Sequence, residues 1–211
     1  MPKAEIGPGE FFPVVGVGPH TKPWPTGDQY DLELLENGDR RNVLDKYRYW
    51  KVDAIVADLN KSRHKLEIAI ENWQHDLNIG SIVRTANAFN VNAVHIVGKR
   101  DWNRRGAMVT DKYLTVVHHP TIEDFAKYCA DKALPIIGID NVDSSIEMES
   151  YQMPEKCVLL FGQEGAGMSE EGIAACQVLL AIRQYGSTRS MNASAAGAIA
   201  MYHWALQNLP R

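Results

Sequence analysis

The chain has 211 residues, 45% of them hydrophobic and 23% charged, which suits one domain with a sizeable core plus an extension. Its formal net charge of −4 excludes nucleic-acid binding through overall charge, so any such contact must come from local basic patches. No apolar run reaches membrane-spanning length and no signal peptide is recognisable, which predicts a cytoplasmic protein without membrane contact.

Residues 1–63 are predicted to form an N-terminal extension. Prolines and glycines crowd residues 1–25, which indicates an irregular arm. Residues 28–63 are polar with a loose helical periodicity, and basic and aromatic side chains alternate there: Arg40, Arg41, Lys46, Tyr47, Arg48, Tyr49, Trp50 and Lys51. Such a segment can bind phosphates and bases, or it can be a solvated helix whose aromatic side chains pack on the main body.

Residues 64–211 are predicted to form an α/β domain. Apolar segments predict strands at 65–73, 93–98, 114–119, 135–140, 157–162 and 178–182. Helices are predicted after the first strand, over 121–133 with Thr121 as N-cap, and from Asn192 or Ser194 onward. Apolar strands alternating with helices predict a mostly parallel sheet with helices on both faces.

Three segments that follow predicted strands carry unusual residues, and ligands of such sheets bind at the carboxyl ends of strands. They are "QHDLNIGSIVR" (74–84), "LLFGQEGAGMSEE" (159–171) and "AIRQYGSTRSMNASAAGAIAMYHWAL" (181–206). The second lacks the lysine of a phosphate loop, and no strand is followed by the fingerprint G-x-G-x-x-G, which disfavours a dehydrogenase. Glycine-bordered backbone with apolar walls suits a purine nucleoside.

Histidines and cysteines give no pattern of metal ligands. The cysteines Cys129, Cys157 and Cys176 are far apart, which predicts reduced thiols with neither a disulfide nor a metal site. The adjacent pair His118 and His119 would point to opposite faces of a strand.

Together the three segments resemble the three motifs of the SpoU/TrmH branch of the SPOUT class of RNA methyltransferases. The match runs over residues 65 to 207, with the motifs in the family's order. The resemblance implies S-adenosyl-L-methionine as donor, a ribose 2′-hydroxyl of tRNA or rRNA as acceptor, a homodimer and a C-terminal trefoil knot, which is a rare topology. The alternative to an enzyme is a catalytically silent module that binds the donor and RNA.

The resemblance also assigns roles to residues. It implies Arg84 as the catalytic arginine, with Asn78, Glu164, Ser190 and Asn192 shaping the site. The positions implied for donor binding are Leu160, Gly162, Ile182, Gln184, Met191 and Ala193. The segment "NASAAG" (192–197) departs from the family's more frequent "NVSVAA", which puts local packing there in doubt.

The role of Arg84 admits more than one interpretation. A guanidinium stays protonated in proteins, so we favour electrostatic stabilisation of the developing alkoxide over action as a base. An ion pair between Arg84 and Glu164 that only joins helix to loop is the structural alternative.

A basic patch follows the second predicted strand. In "KRDWNRRG" (99–106), the side chains of Lys99, Arg100, Arg104 and Arg105 surround Trp102 and are predicted to bind RNA phosphates. A solvated loop is the alternative.

Overall fold

The computed structural model describes residues 16–73, 78–163 and 165–210. Contacts divide the chain into two compact units, one ending at Asp58 and the other beginning at Leu59. Most of the predicted irregular arm, residues 1–15, lies outside the described residues. Among the residues described, no helix is both long and apolar enough to cross a membrane.

The first unit contains two short helices, α1 (Leu32–Asn37) and α2 (Val52–Leu59), and a 3-10 turn at Asp45–Tyr47. It is organised around Asp39, whose side chain is fully buried and accepts hydrogen bonds from the Arg41 side chain and the Tyr49 backbone. Burial opposes ionisation of Asp39, but these hydrogen bonds prevail and lower its pKa to about 2.

The basic and aromatic side chains of this segment contact residues of the first unit itself. Lys46 pairs with Asp58, and Tyr47 is buried with its ring edge against Trp50 at a centroid distance of 5.5 Å. Arg41 is committed to Asp39, as described above, and Arg48 donates to the Arg41 carbonyl. The charges of Arg41, Lys46 and Arg48 therefore serve the unit's own structure.

The second unit is a sheet of seven parallel strands flanked by helices. Its strands are β1 (His64–Asn72), β2 (Val91–Gly98), β3 (Val116–His119), β4 (Ile136–Ile139), β5 (Ile146–Glu147), β6 (Cys157–Phe161) and β7 (Val178–Ala181). Its helices are α3 (Asn78–Ala88), α4 (Ile122–Asp131), α5 (Glu170–Ala175) and α6 (Ala193–Asn208), with 3-10 turns at Arg105–Ala107, Thr110–Tyr113 and Met148–Ser150. The strand order is β3-β2-β1-β6-β4-β7-β5.

The predicted α/β class and the six predicted strands are confirmed, with ends that shift by one or two residues. Thr121 caps α4 by accepting from the Asp124 backbone, and Asn192 is the N-cap of α6. The two-residue strand β5 was not predicted, because both of its side chains are exposed and no apolar run marks it. The sheet is parallel throughout the described residues.

Each face of the sheet has its own core. Ile68 and Ile96 pack with residues of α3 and α6 on one face, and Ala69 and Val97 pack with α4 on the other. β1 is buried on both faces from Leu66 to Asn72, although Glu67, Glu71 and Asn72 interrupt its apolar residues.

A buried polar cluster lies on the α4 face. His95 contacts Glu67 through Nε2 at 2.7 Å and His119 through Nδ1 at 2.9 Å. Burial and the neighbouring histidines, His95 and His118, lower the pKa of His119 to about 4. The two adjacent histidines are thus core and strand-edge residues, with His118 bonded to the Gly98 carbonyl.

This cluster predicts a loss of stability in mild acid. The pKa of His119 is about 4 in the folded state against 6.5 in an unfolded chain, so protonation favours unfolding as pH falls from 6.5 towards 4. Denaturant melts at several pH values should show this loss, and His119→Gln should reduce it because glutamine does not titrate. An identical pH dependence in the two proteins would contradict the assignment.

Candidate active site

A cleft of about 450 Å³ opens at the carboxyl ends of the adjacent strands β6, β4 and β7. Its described walls are residues 139–142 after β4, residues 161–168 after β6 except position 164, and part of the segment from Ile182 to Ala196. The lining includes the half-buried apolar residues Val142, Ile182 and Met191 beside backbone and polar groups. This size and this mixed surface suit a small organic ligand.

Glycines shape the loop after β6. Backbone hydrogen bonds of 3.0 Å join Gln163 and Gly167 in both directions, and Gly165 and Gly167 have φ angles of 85° and 71°. A Cβ on Gly162 would overlap the backbone of Gly167 and Met168. The loop therefore folds back tightly on its strand and presents backbone to the cleft.

The segment after β7 is tied to the start of α3. Asn192 caps α6 by accepting from the backbone of Ser194 and Ala195, and its Nδ2 donates to Asn78 Oδ1 at 2.7 Å. Asn78 is 8% exposed at the first position of α3. The two asparagines predicted from the sequence thus connect the first and third motif segments.

Arg84 lies on an exposed part of α3, six residues and about 9 Å along the helix from Asn78. Its side chain has no hydrogen bond or ion pair within the described part of the chain. Glu164, the partner in the alternative interpretation, is outside the described residues. The guanidinium of Arg84 is therefore directed to solvent in the single chain.

The predicted donor-binding positions fall mostly in the cleft. Its lining includes Gly162, Ile182, Gln184, Met191 and Ala193, together with Ser190 and Asn192 from the catalytic set. Leu160 is fully buried within β6 and packs in the core on the α4 face, so it does not line the cleft.

Two cleft residues, Asp140 and Asn141, were not anticipated from the sequence. Asp140 Oδ2 accepts from the Met168 backbone at 2.9 Å, and Asn141 Nδ2 donates to the Arg189 carbonyl at 3.0 Å. They follow β4, which lies between β6 and β7 in the sheet, so each reaches one of the two loops. The sequence feature that could have indicated them is a carboxylate followed by an amide side chain at the end of a predicted strand.

The end of β1 is joined to the loop after β6 by two further residues that sequence reasoning missed. Gln163 Oε1 accepts from the Trp73 backbone at 3.0 Å, and the fully buried Glu71 accepts from the Ser169 backbone at 2.9 Å. Burial raises the pKa of Glu71. Asn78 bonds to Asn192 in the described residues, and Glu164 lies outside them.

The predicted basic patch is only partly available to a ligand. Lys99, Arg100 and Arg105 are exposed. Arg104 lies over the ring of Trp102, at 5.3 Å from the centroid, and pairs with Asp111 at 3.2 Å. Trp102 itself is 9% exposed and belongs to the core, so it cannot stack on a base.

The described residues provide neither a metal site nor a reactive thiol. No group of three or more histidine, cysteine or acidic side chains there could hold a metal ion. Cys129, Cys157 and Cys176 are free, and burial raises the pKa of each thiol to about 12, which makes them poor nucleophiles.

Comparison with known proteins gives one consistent result. A model of the SpoU rRNA Methylase family matches residues 65–202. The chain is 25% identical over 158 residues to the tRNA (guanosine(18)-2′-O)-methyltransferase of Escherichia coli K12, covering 74% of this chain and 68% of that protein.

Solved structures show the same fold. The A. aeolicus TrmH/SpoU tRNA modifying enzyme superposes with a TM-score of 0.65 at 21% identity, covering 74% of this chain and 81% of that one. The SpoU methyltransferase AviRb from Streptomyces viridochromogenes, solved in complex with AdoMet, gives 0.63 at 22% identity, covering 71% and 63%.

Proposed function

Because the chain belongs to the SpoU rRNA methylase family, we propose that it transfers a methyl group from S-adenosyl-L-methionine to a ribose 2′-hydroxyl of tRNA or rRNA. One observation carries the proposal: the glycine-shaped loop after β6 and the segment after β7 enclose a cleft, and the Asn78–Asn192 bond connects that cleft to the helix that bears Arg84. The E. coli relative named above is a tRNA ribose 2′-O-methyltransferase.

The residues of the cleft fit the donor. The backbone at Gly162, Ile182 and Met191 would hold its adenosyl part, with Gln184 and Ala193 beside them. Apolar surface from Val142 and Ile182 suits a purine, and the cleft volume suits a molecule of that size. When bound, the donor supplies an electrophilic methyl group on a sulfonium.

The acceptor hydroxyl must lie in line with that methyl group and lose its proton as it attacks. Positioning of this kind can contribute several powers of ten to a rate. Arg84 stabilises the oxygen as negative charge develops on it, because its guanidinium keeps its charge throughout. Ser190 and Asn192 are the polar groups at the cleft that shape this region, and Glu164 joins them in the proposal.

The RNA backbone is bound by local positive charge. We assign this role to Lys99, Arg100 and Arg105, which are exposed, with Arg104 contributing through its side chain over Trp102. The protein's net charge of −4 makes such a patch necessary. The extension, residues 1–63, adjusts the choice of substrate in a cytoplasmic enzyme.

The enzyme functions as a homodimer whose active sites lie near the subunit interface, and its C-terminus forms a trefoil knot. The dimer proposal is supported by an apolar stripe on α6, where Ile199, Tyr202 and Leu206 are 41%, 57% and 47% exposed at helical spacing. The knot is proposed from membership of the family whose model matches residues 65–202.

The stripe on α6 gives a prediction for the oligomeric state. Leu206→Glu should convert a dimer into a monomer, because a carboxylate would be buried without a partner in the interface. Sedimentation velocity measures this directly. Leu32→Glu, at a leucine that is 67% exposed in α1, is the matched control and should remain dimeric. A Leu206→Glu protein that stays dimeric would exclude this stripe as the interface.

Incubation with a labelled donor and total RNA tests the proposed function. We expect label in RNA and heat of donor binding in calorimetry. Donor binding without incorporation into any RNA would instead identify a catalytically silent module.

A further inference from the structure

The loop between β7 and α6 carries an aromatic side chain that the described core does not use. Tyr185 is 87% exposed, more than any other large apolar or aromatic side chain among the exposed ones described. No aromatic ring of the described residues packs against it. Its neighbour Gln184 and the nearby Arg189 both line the cleft, so Tyr185 lies at the cleft's edge.

The loop holds this ring in place by polar contacts. Arg183 donates to both carboxylate oxygens of Glu147, and the Tyr185 hydroxyl interacts with the same guanidinium. At the other end of the loop, the Arg189 carbonyl accepts from Asn141 Nδ2 at 3.0 Å and from Gln184 Nε2 at 3.4 Å. The ring is therefore restrained at its hydroxyl end while its faces remain open.

Positive charge accompanies the exposed ring. Arg189 is exposed, and its guanidinium has no hydrogen bond or ion pair within the described part of the chain. An open aromatic face and an unused guanidinium in the same loop are the combination that binds an unstacked nucleobase and its phosphate. A restrained tyrosine also loses little conformational entropy on binding, which favours this use over that of a freely rotating side chain.

We propose that Tyr185 is a stacking platform for a nucleobase of the RNA substrate, next to the ribose that is methylated, and that Arg189 binds the adjoining phosphate. The inference rests on the proposed function, because it takes RNA as the ligand of this cleft. It accounts for recognition of a single-stranded or splayed nucleotide, whose base has a free face. The basic patch at Lys99, Arg100 and Arg105 then binds more distant phosphates.

Equilibrium binding of fluorescently labelled bulk tRNA, in the absence of donor, tests the platform. Tyr185→Ala should weaken binding by roughly 5- to 100-fold, the range found for loss of one stacked base. Tyr185→Leu should be weakened similarly because it keeps apolar bulk without an aromatic face. Tyr185→Phe should bind more tightly than either variant, because it keeps the stacking ring and loses only the restraint at the hydroxyl. Donor binding by calorimetry should be equal in all four proteins.

Further outcomes separate this inference from its alternatives. An unchanged RNA affinity of Tyr185→Leu would overturn the stacking role of Tyr185. Weaker donor binding by the Tyr185 variants at unchanged RNA affinity would also overturn it, and would show that the loop covers the donor. Arg189→Gln should reduce the slope of log affinity against log salt by about one, and an unchanged slope would remove Arg189 from the proposal. If the unchanged protein methylates RNA and the Tyr185 variants bind RNA normally, only the stacking role of Tyr185 is wrong. If the unchanged protein binds no RNA, the proposed function is wrong as well.

Discussion

Arg84→Ala is expected to lower the rate of methyl transfer by about two to three powers of ten, the cost of removing one group that stabilises a developing oxyanion. The affinity for the donor should not change, because Arg84 lies on an exposed part of α3 and does not line the cleft. Single-turnover rates with saturating RNA measure the first effect, and calorimetry measures the second.

Arg84→Lys is the matched variant for this prediction. Lysine keeps the positive charge but loses the planar fork of donors, so partial activity is expected if Arg84 acts electrostatically. If the side chain at this position accepts the proton, the lysine variant should instead gain activity as its ammonium deprotonates at high pH. A near-normal rate for Arg84→Ala would remove Arg84 from the mechanism.

Gly162→Ala is expected to weaken donor binding more than tenfold. A Cβ at this position would overlap the backbone of Gly167 and Met168, and backbone cannot move aside as a flexible side chain would. The loop after β6 would have to shift away from its strand, which would break its hydrogen bonds with Asp140 and Glu71.

The control for this substitution is Gly18→Ala. Nothing lies within 4 Å of a Cβ at Gly18, so this change adds the same methyl group without a steric conflict. Donor titrations should leave Gly18→Ala unchanged, with circular dichroism confirming that both variants are folded. Equal donor affinity in the two variants would show that the loop after β6 does not form the donor site.

The three motif segments could be found from the sequence because each one is local. A loop of glycines between an apolar strand and a capped helix is visible along the chain, as at Gly162 to Ser169 and before Asn192. The segment 135–140 was correctly predicted as a strand, but Asp140 at its end was not recognised as part of the site. Its place between β6 and β7 depends on strand order, which is a long-range property that no local pattern encodes.

The hydrogen bonds that connect the segments could not be predicted from the sequence either. Glu71 reads as a polar residue near the end of an apolar strand, and only its burial against Ser169 reveals that it joins two segments 98 residues apart. The roles of the basic residues could not be assigned from the sequence for the same reason. Arg41 and Lys46 have acidic partners in the first unit that the sequence pattern cannot assign.

The identity of the modified nucleoside is the direct test of ribose 2′-O-methyl transfer by this protein. RNA treated with the protein and isotopically labelled S-adenosyl-L-methionine can be digested to nucleosides and separated by mass spectrometry. We expect the label on the ribose of a 2′-O-methylated nucleoside, and we expect Arg84→Ala to form it about two to three powers of ten more slowly. A label on a base, or unlabelled RNA from a protein that binds the donor, would contradict it.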